Sequence, residues 1–207
     1  MYLSKTPRWL RLLYKGCTWS VETQEKVLYL TFDDGPHPSI TPFVLDELKK
    51  VNARATFFCI GRNVAAYPHI YQRILDEGHA TGNHTHNHLN GWKTSNRRYL
   101  EDIAEAKKYI DSSLFRPPYG KIGHFQLSQL SLPRFQLKTV MWSVLSGDFD
   151  TTLTTEKSLE NVLLNSFPGA IIVFHDSEKA YKRLAYALPG TLKYFTEKGF
   201  SFDRLRV

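Results

Sequence analysis

The sequence predicts an α/β fold: a largely parallel sheet covered by helices, open or closed into a barrel. Three observations lead there. Short apolar, β-branched runs alternate with helical patterns from Lys26 to the end. The apolar runs are short enough, and bounded by enough Gly and Pro, to read as buried strands. Five polar clusters each follow a predicted strand or extended run, and in parallel α/β architectures the carboxyl ends of the strands converge on one site.

The elements follow in chain order. Val27-Leu28-Tyr29-Leu30-Thr31-Phe32 is the first strand, stopped in a turn by Gly35-Pro36. Ser39 to Val51 is a helix, with Ser39 or Thr41 as cap and Pro42 in its first turn. Ala55–Ile60 is the second strand, and Pro68–Glu77 a helix ended by Gly78. His79–Gly82 leads into a histidine cluster, Thr94–Asp111 is helical, and Leu114-Phe115 enters Arg116-Pro117-Pro118-Tyr119-Gly120. Thr139–Val144 is a further strand, Thr154–Ser166 a helix, and Ala170–Phe174 a buried strand ending in His175-Asp176. A helix from about Ala180 to Lys198, with a break expected at Pro189-Gly190, precedes a closing strand at Phe200–Leu205.

At 207 residues the chain suits one domain, with residues 1–25 as an N-terminal extension packed on residues 26–207. Much of the excess behind the net charge of +7 lies near the N-terminus (Lys5, Arg8, Arg11, Lys15) and in Arg97-Arg98, Lys107-Lys108 and Lys182-Arg183. These scattered charges read as solvated helix faces rather than a nucleic-acid groove. Cys17 and Cys59 lack metal-type spacing and imply no disulfide framework. No run reaches transmembrane length, so no stable membrane insertion is expected. Trp9-Leu10-Arg11-Leu12-Leu13-Tyr14 lacks a continuous signal-peptide core. It reads as a short amphipathic helix covering one end of the domain, with a membrane-surface anchor as the alternative.

The chemistry concentrates at two places. Asp33-Asp34 sets two like charges just outside an apolar core, a costly arrangement unless a cation or proton is shared. Downstream, His84 and His88 are spaced i, i+4, which on a helical turn puts both imidazoles on one face. With one carboxylate of the pair they make a two-histidine, one-carboxylate metal set with open positions. His86 would point elsewhere on such a turn. A bound divalent ion would acidify a water and polarise a carbonyl, leaving the second carboxylate as general base. His175, within reach of an orienting carboxylate such as Asp148, is the candidate acid.

Thr-Phe-Asp-Asp-Gly-Pro at 31–36, His-Thr-x-x-His at 84–88 and Arg-Pro-Pro-Tyr-Gly at 116–120 resemble the carbohydrate esterase family 4 polysaccharide deacetylases, the NodB homology domain. The resemblance runs from about Lys26 to Leu205. It implies a single distorted (β/α) barrel and removal of N-acetyl groups from an N-acetylglucosamine-containing glycan. It further implies Asp33 as base, Asp34, His84 and His88 as ligands of one divalent metal, commonly Zn2+, and Arg116 as the group that holds Asp33. The backbone N–H of Tyr119 would help bind the oxyanion, and His175, in Val173-Phe174-His175, would be the acid. The family's acid-and-Trp motif keeps Asp148, but Leu145 stands where an earlier Asp is expected and Phe149 replaces the Trp.

Two alternatives remain: hydrolysis of a non-sugar amide or cyclic imide, and a catalytically silent glycan-binding domain. Turnover of small amides without acetyl loss from glycans would mark the first, and no turnover at all the second. A glycan is the expected partner, nucleic acid is not, and a monomer is expected. The chain shows no export signal and reads as cytoplasmic by sequence, whereas relatives commonly act on the cell envelope.

Overall fold

The computed structural model describes residues 3–206. In it, strands and helices alternate as follows: α1 Arg8–Leu13, β1 Cys17–Thr18, β2 Val27–Asp33, α2 Ile40–Lys50, β3 Thr56–Cys59, α3 Gly61–Ala66, α4 Pro68–Asp76, β4 Ala80–Asn83, α5 Asn96–Ala106, β5 Leu114–Phe115, α6 His124–Leu130, β6 Lys138–Val140, β7 Val144–Leu145, α7 Thr155–Asn165, β8 Ile171–His175, α8 Glu178–Glu197 and β9 Ser201–Phe202. The strands run in the order β1-β6-β5-β4-β3-β2-β8-β7, every neighbouring pair parallel, with β9 added alongside the start of β2. The sheet curls into a half-barrel.

Alternation along the strands builds two cores. Leu28, Leu30 and Phe32 of β2, with Phe57, Cys59, Ile172 and Phe174 beside them, face outward under Val44, Leu45 and Leu48 of α2 and Leu184, Leu188 and Leu192 of α8. Phe32 stacks between Phe57 and Phe174, at ring separations of 5.0 and 6.0 Å. Phe32→Ala would therefore cost about 3–5 kcal/mol. Phe58, Leu114, Val140, Ile171 and Leu205, with Tyr29 and Trp142, fill the inside of the curl. Because both faces are covered, the strands carry near-continuous apolar runs. The inward positions that close β2 and β8 are polar, and they open the site.

The remaining gap is spanned by the chain's own start. The Thr6 N–H donates to the Ser143 carbonyl at 3.0 Å, and the Leu145 N–H to that of Ser4 at 2.8 Å. Farther along, the Val21 N–H reaches the Gly169 carbonyl at 2.9 Å, and β1 pairs with β6. Residues before Val27 thus contribute a strand and a seam.

Four sequence expectations are corrected. Thr139–Val144 is two strands, because Met141–Ser143 crosses the seam: Met141 bonds Thr18 beside β1, whereas Ser143 bonds Ile171 of β8. Helix α5 stops at Ala106, five residues before Asp111, and continues only as a turn to Ile110. Helix α8 passes through Pro189 without a break. A Cβ at the next residue, Gly190, would stand 2.8 Å from Leu159 of α7, so close packing against α7 holds the helix through the proline. The pattern Phe200–Leu205 yields only the two-residue β9. Among the described residues, no helix is long and apolar enough to cross a membrane, and Cys17 and Cys59 are buried free thiols.

Candidate active site

The site lies where β2, β4, β5 and β8 end. Asp33 and His175 are register partners on the adjacent strands β2 and β8, so their side chains emerge on the same inner face. Asp33 is the last residue of β2 and remains inside the curl, 3 % exposed. Asp34 is the first residue past the strand, and its φ of 85° swings its carboxylate outward, away from Asp33. Asp176 fixes this turn from behind: its carboxylate accepts the Gly35 N–H at 3.0 Å and the Thr41 hydroxyl. A Cβ at residue 35 would lie 2.1 Å from that carboxylate, so only glycine fits. Burial pushes the Asp176 carboxyl up to about 7, against the Thr41 hydrogen bond that favours its charge.

Asp34, His84 and His88 come together, with ligand atoms all within 4.8 Å of one another. Asp34 Oδ1 is 3.2 Å from His88 Nε2 and 3.8 Å from His84 Nε2. The histidines reach this position from a loop rather than the helical turn their spacing suggested. Thr85 and His88 have φ of 63° and 57°, so the backbone reverses twice and brings the rings to 5.1 Å. Asp102 on α5 holds the loop, accepting the N–H groups of His86 and Asn87 at 2.8 and 2.9 Å and the Asn87 side-chain amide at 2.6 Å. The His86 ring turns to Tyr109, 5.5 Å away. Among the described residues, four of the six non-glycine residues with positive φ lie here (Asp34, Thr85, His88 and Tyr119), a clustering of backbone strain typical of functional sites.

The residues fit a metal ion. His84 Nδ1 is 2.7 Å from the Arg116 carbonyl, which accepts only from a protonated nitrogen and so leaves the Nε2 lone pair facing Asp34. Burial holds the His84 imidazole down at about 4, so it is neutral, the form that ligates. His88 Nδ1 is 3.1 Å from the Tyr119 hydroxyl. Burial works against the Asp34 charge, but His88, 3.2 Å away, and the His175 and His84 imidazoles hold its carboxyl well below the usual carboxylate range.

Two buried pairs flank these ligands. Arg116 is fully buried, and its Nη1 donates to Asp33 Oδ1 and to the Thr31 hydroxyl, each at 2.7 Å. Its Nε and Nη2 reach the carbonyls of Val140 and Met141 at 3.2 and 3.0 Å, and its guanidinium lies 4.0 Å from the centre of the Phe58 ring. On the other flank, His175 Nδ1 is 2.8 Å from Asp148 Oδ1, and the His175 N–H donates to Asp148 Oδ2 at 2.7 Å. Burial disfavours the imidazolium, but Asp148, with Asp34 and Asp33 beyond it, pushes His175 up to about 9. The Phe149 ring stands edge-on to His175 at 5.2 Å, and Leu145 is buried in β7.

A cleft of about 260 Å3, lined by Asp34, His37, Ile60, Asn63, His88 and Asp176, opens over the ligands. A larger depression of about 450 Å3 between α6 and β6 holds none of these groups. The sequence reading missed Asp102 and assigned no task to Asp176. Asp176 had a signal, as a carboxylate at a strand end, whereas Asp102 is one acid among several on an amphipathic helix.

The model of the polysaccharide deacetylase family matches residues 20–130. This chain belongs to that family. A peptidoglycan-N-acetylglucosamine deacetylase of Bacillus cereus is 36 % identical over 191 residues, 89 % of each chain. A chitooligosaccharide deacetylase of Azorhizobium caulinodans is 36 % identical over 163 residues, 75 % of this chain and 76 % of the other. A solved peptidoglycan N-acetylglucosamine deacetylase superposes with a TM-score of 0.84 at 33 % identity, over 97 % of this chain and 95 % of its own. The half-barrel is thus the fold of the polysaccharide deacetylases, as the motifs implied.

Proposed function

We propose that this chain removes N-acetyl groups from an N-acetylglucosamine-containing glycan of the peptidoglycan or chitooligosaccharide type, using one divalent ion held by Asp34, His84 and His88. The observation that carries this reading is the three-ligand set between two buried pairs, one presenting a fixed carboxylate and the other a charged imidazole. Two imidazole nitrogens and one carboxylate oxygen suit zinc and leave it an open position. When bound, the ion supplies Lewis acidity, polarising the acetamide carbonyl and acidifying water.

The protein's own groups then divide the proton transfers. Asp33 accepts the proton of the attacking water; Arg116 occupies its Oδ1 and keeps the carboxylate oriented. The Tyr119 backbone N–H donates to the developing oxyanion, a contribution of about 3 kcal/mol in acyl transfer. His175 enters the reaction protonated, with Nδ1 engaged by Asp148, and gives the Nε2 proton to the departing amine. Acetate and a free amine leave, with one proton taken and one returned. The protein acts as a monomer, and the cell envelope is where such a substrate lies.

Incubating the zinc-loaded protein with chitooligosaccharides and peptidoglycan fragments, followed by mass spectrometry, tests the reading. Stepwise acetyl loss that vanishes in His84→Ala/His88→Ala, together with the metal, is expected. Intact glycans alongside turnover of small amides would replace this reading with an amidase.

A further inference from the structure

The opening of the chain is apolar on two sides. Leu10 and Tyr14 pack down onto Cys17, Trp19, Met141 and Trp142. Trp9, Leu12 and Leu13 of the same short helix, spaced i, i+3, i+4, instead face water at 60, 65 and 59 % exposure, and Leu3, earlier in the segment, is 57 % exposed. Three large exposed apolar side chains on one face of a short helix form a patch of the kind that marks an interaction surface. Its charge is as one-sided as its hydropathy. Lys5, Arg8, Arg11 and Lys15 fall within the first 21 residues, and the first acid of the chain is Glu22.

We propose that residues 3–15 form a docking surface for an anionic lipid bilayer, on which the protein sits peripherally without spanning it. Charge selects this occupant. A second copy of the chain would bring the same cations against themselves across a two-fold interface. An anionic headgroup layer accepts the exposed Lys5 and Lys15, and the acyl boundary beneath it accepts Leu12 and Leu13. Trp9 suits the interface itself, with an apolar ring and one N–H.

The patch is not remote from the cleft. The Leu145 N–H donates to the Ser4 carbonyl, and the Thr6 hydroxyl to that of Trp142 at 2.7 Å. Trp142 covers Gly120, where a Cβ would stand 2.6 Å from its ring, and Gly120 follows Tyr119 at the mouth of the site. The segment carrying the patch is thus built onto the Leu145 edge, where the sequence departs from the family's pattern.

Co-sedimentation of the full chain with vesicles, read without turnover, tests the docking independently of the proposed reaction. Binding to phosphatidylglycerol–phosphatidylcholine vesicles, absent with pure phosphatidylcholine and weakened by salt, is expected. Lys5→Gln and Lys15→Gln should each weaken it about fivefold. Trp9→Ser/Leu12→Ser/Leu13→Ser should weaken it about tenfold or more while the lipid-free protein melts at an unchanged temperature. The proposal is overturned by failure to bind anionic vesicles or by undiminished binding of the triple variant. A concentration-dependent dimer that the triple variant abolishes would overturn it as well.

Discussion

Arg116–Asp33 and His175–Asp148 are both buried ion pairs at strand ends of one curl, yet their cations differ in whether they titrate. Arg116 is saturated: every nitrogen of its guanidinium meets an acceptor, and it cannot give up its proton in water. Its pair is therefore a fixed charge that holds a carboxylate still. His175 spends one nitrogen and its backbone N–H on Asp148 and keeps Nε2 uncommitted. That pair stores a proton that can leave. The same device, a cation against a buried carboxylate, becomes a scaffold or a reagent according to whether the cation titrates.

The comparison breaks most visibly at Arg116. Arg116→Met strands Asp33 as an uncompensated buried carboxylate, and the expected loss is about 3–5 kcal/mol in chemical denaturation. Arg116→Met/Asp33→Leu should recover part of that loss, since replacing both partners removes the stranded charge. Equal stability of Arg116→Met and wild type would show that the pair holds nothing.

Asp148→Asn probes the reagent. The expected rate loss is about 10²–10⁴-fold at unchanged metal content. The alkaline limb of the pH–rate profile should move to lower pH, because the substitution removes the negative charge that favours the imidazolium. An unshifted limb would mean that Asp148 does not serve His175.

Asp102 sharpens the contrast from a third side, since among the described residues its carboxylate binds three neutral N–H groups and no cation. Asp102→Asn exchanges one acceptor for a donor and loosens the loop between His84 and His88. Metal affinity measured against a competing chelator should fall about 10–100-fold, the range for groups that orient ligands, with partial recovery in Asp102→Glu. Unchanged affinity would confine Asp102 to folding.

A last effect concerns stability. The folded-state pKa of His175 is raised from 6.5 to about 9. Its stabilisation is therefore fully present below about pH 6.5 and is lost as pH rises through 9. The stability gap between wild type and His175→Gln, measured by denaturation across that range, should shrink with rising pH. A gap that is constant or that widens would contradict the charged state assigned to His175.

The sequence by itself determined the strand–helix alternation, the Asp-Asp-Gly-Pro turn and the residues that meet at the site. Strands buried on both faces are apolar at most positions, so charged residues survive chiefly at their ends. Tertiary structure alone decided how those residues act. Asp33 and Asp34 are chemically identical neighbours, separated only because one ends a strand facing Arg116 and the other turns at φ 85° toward the histidines. The loop geometry of His84 and His88 rests on Asp102, far along the chain, so no local period could reveal it. The seam made by Ser4–Thr6 and the crossing at Met141–Ser143 depend on how far the sheet curls. Curling is set by packing among all the strands at once, and a pattern read one segment at a time does not contain it.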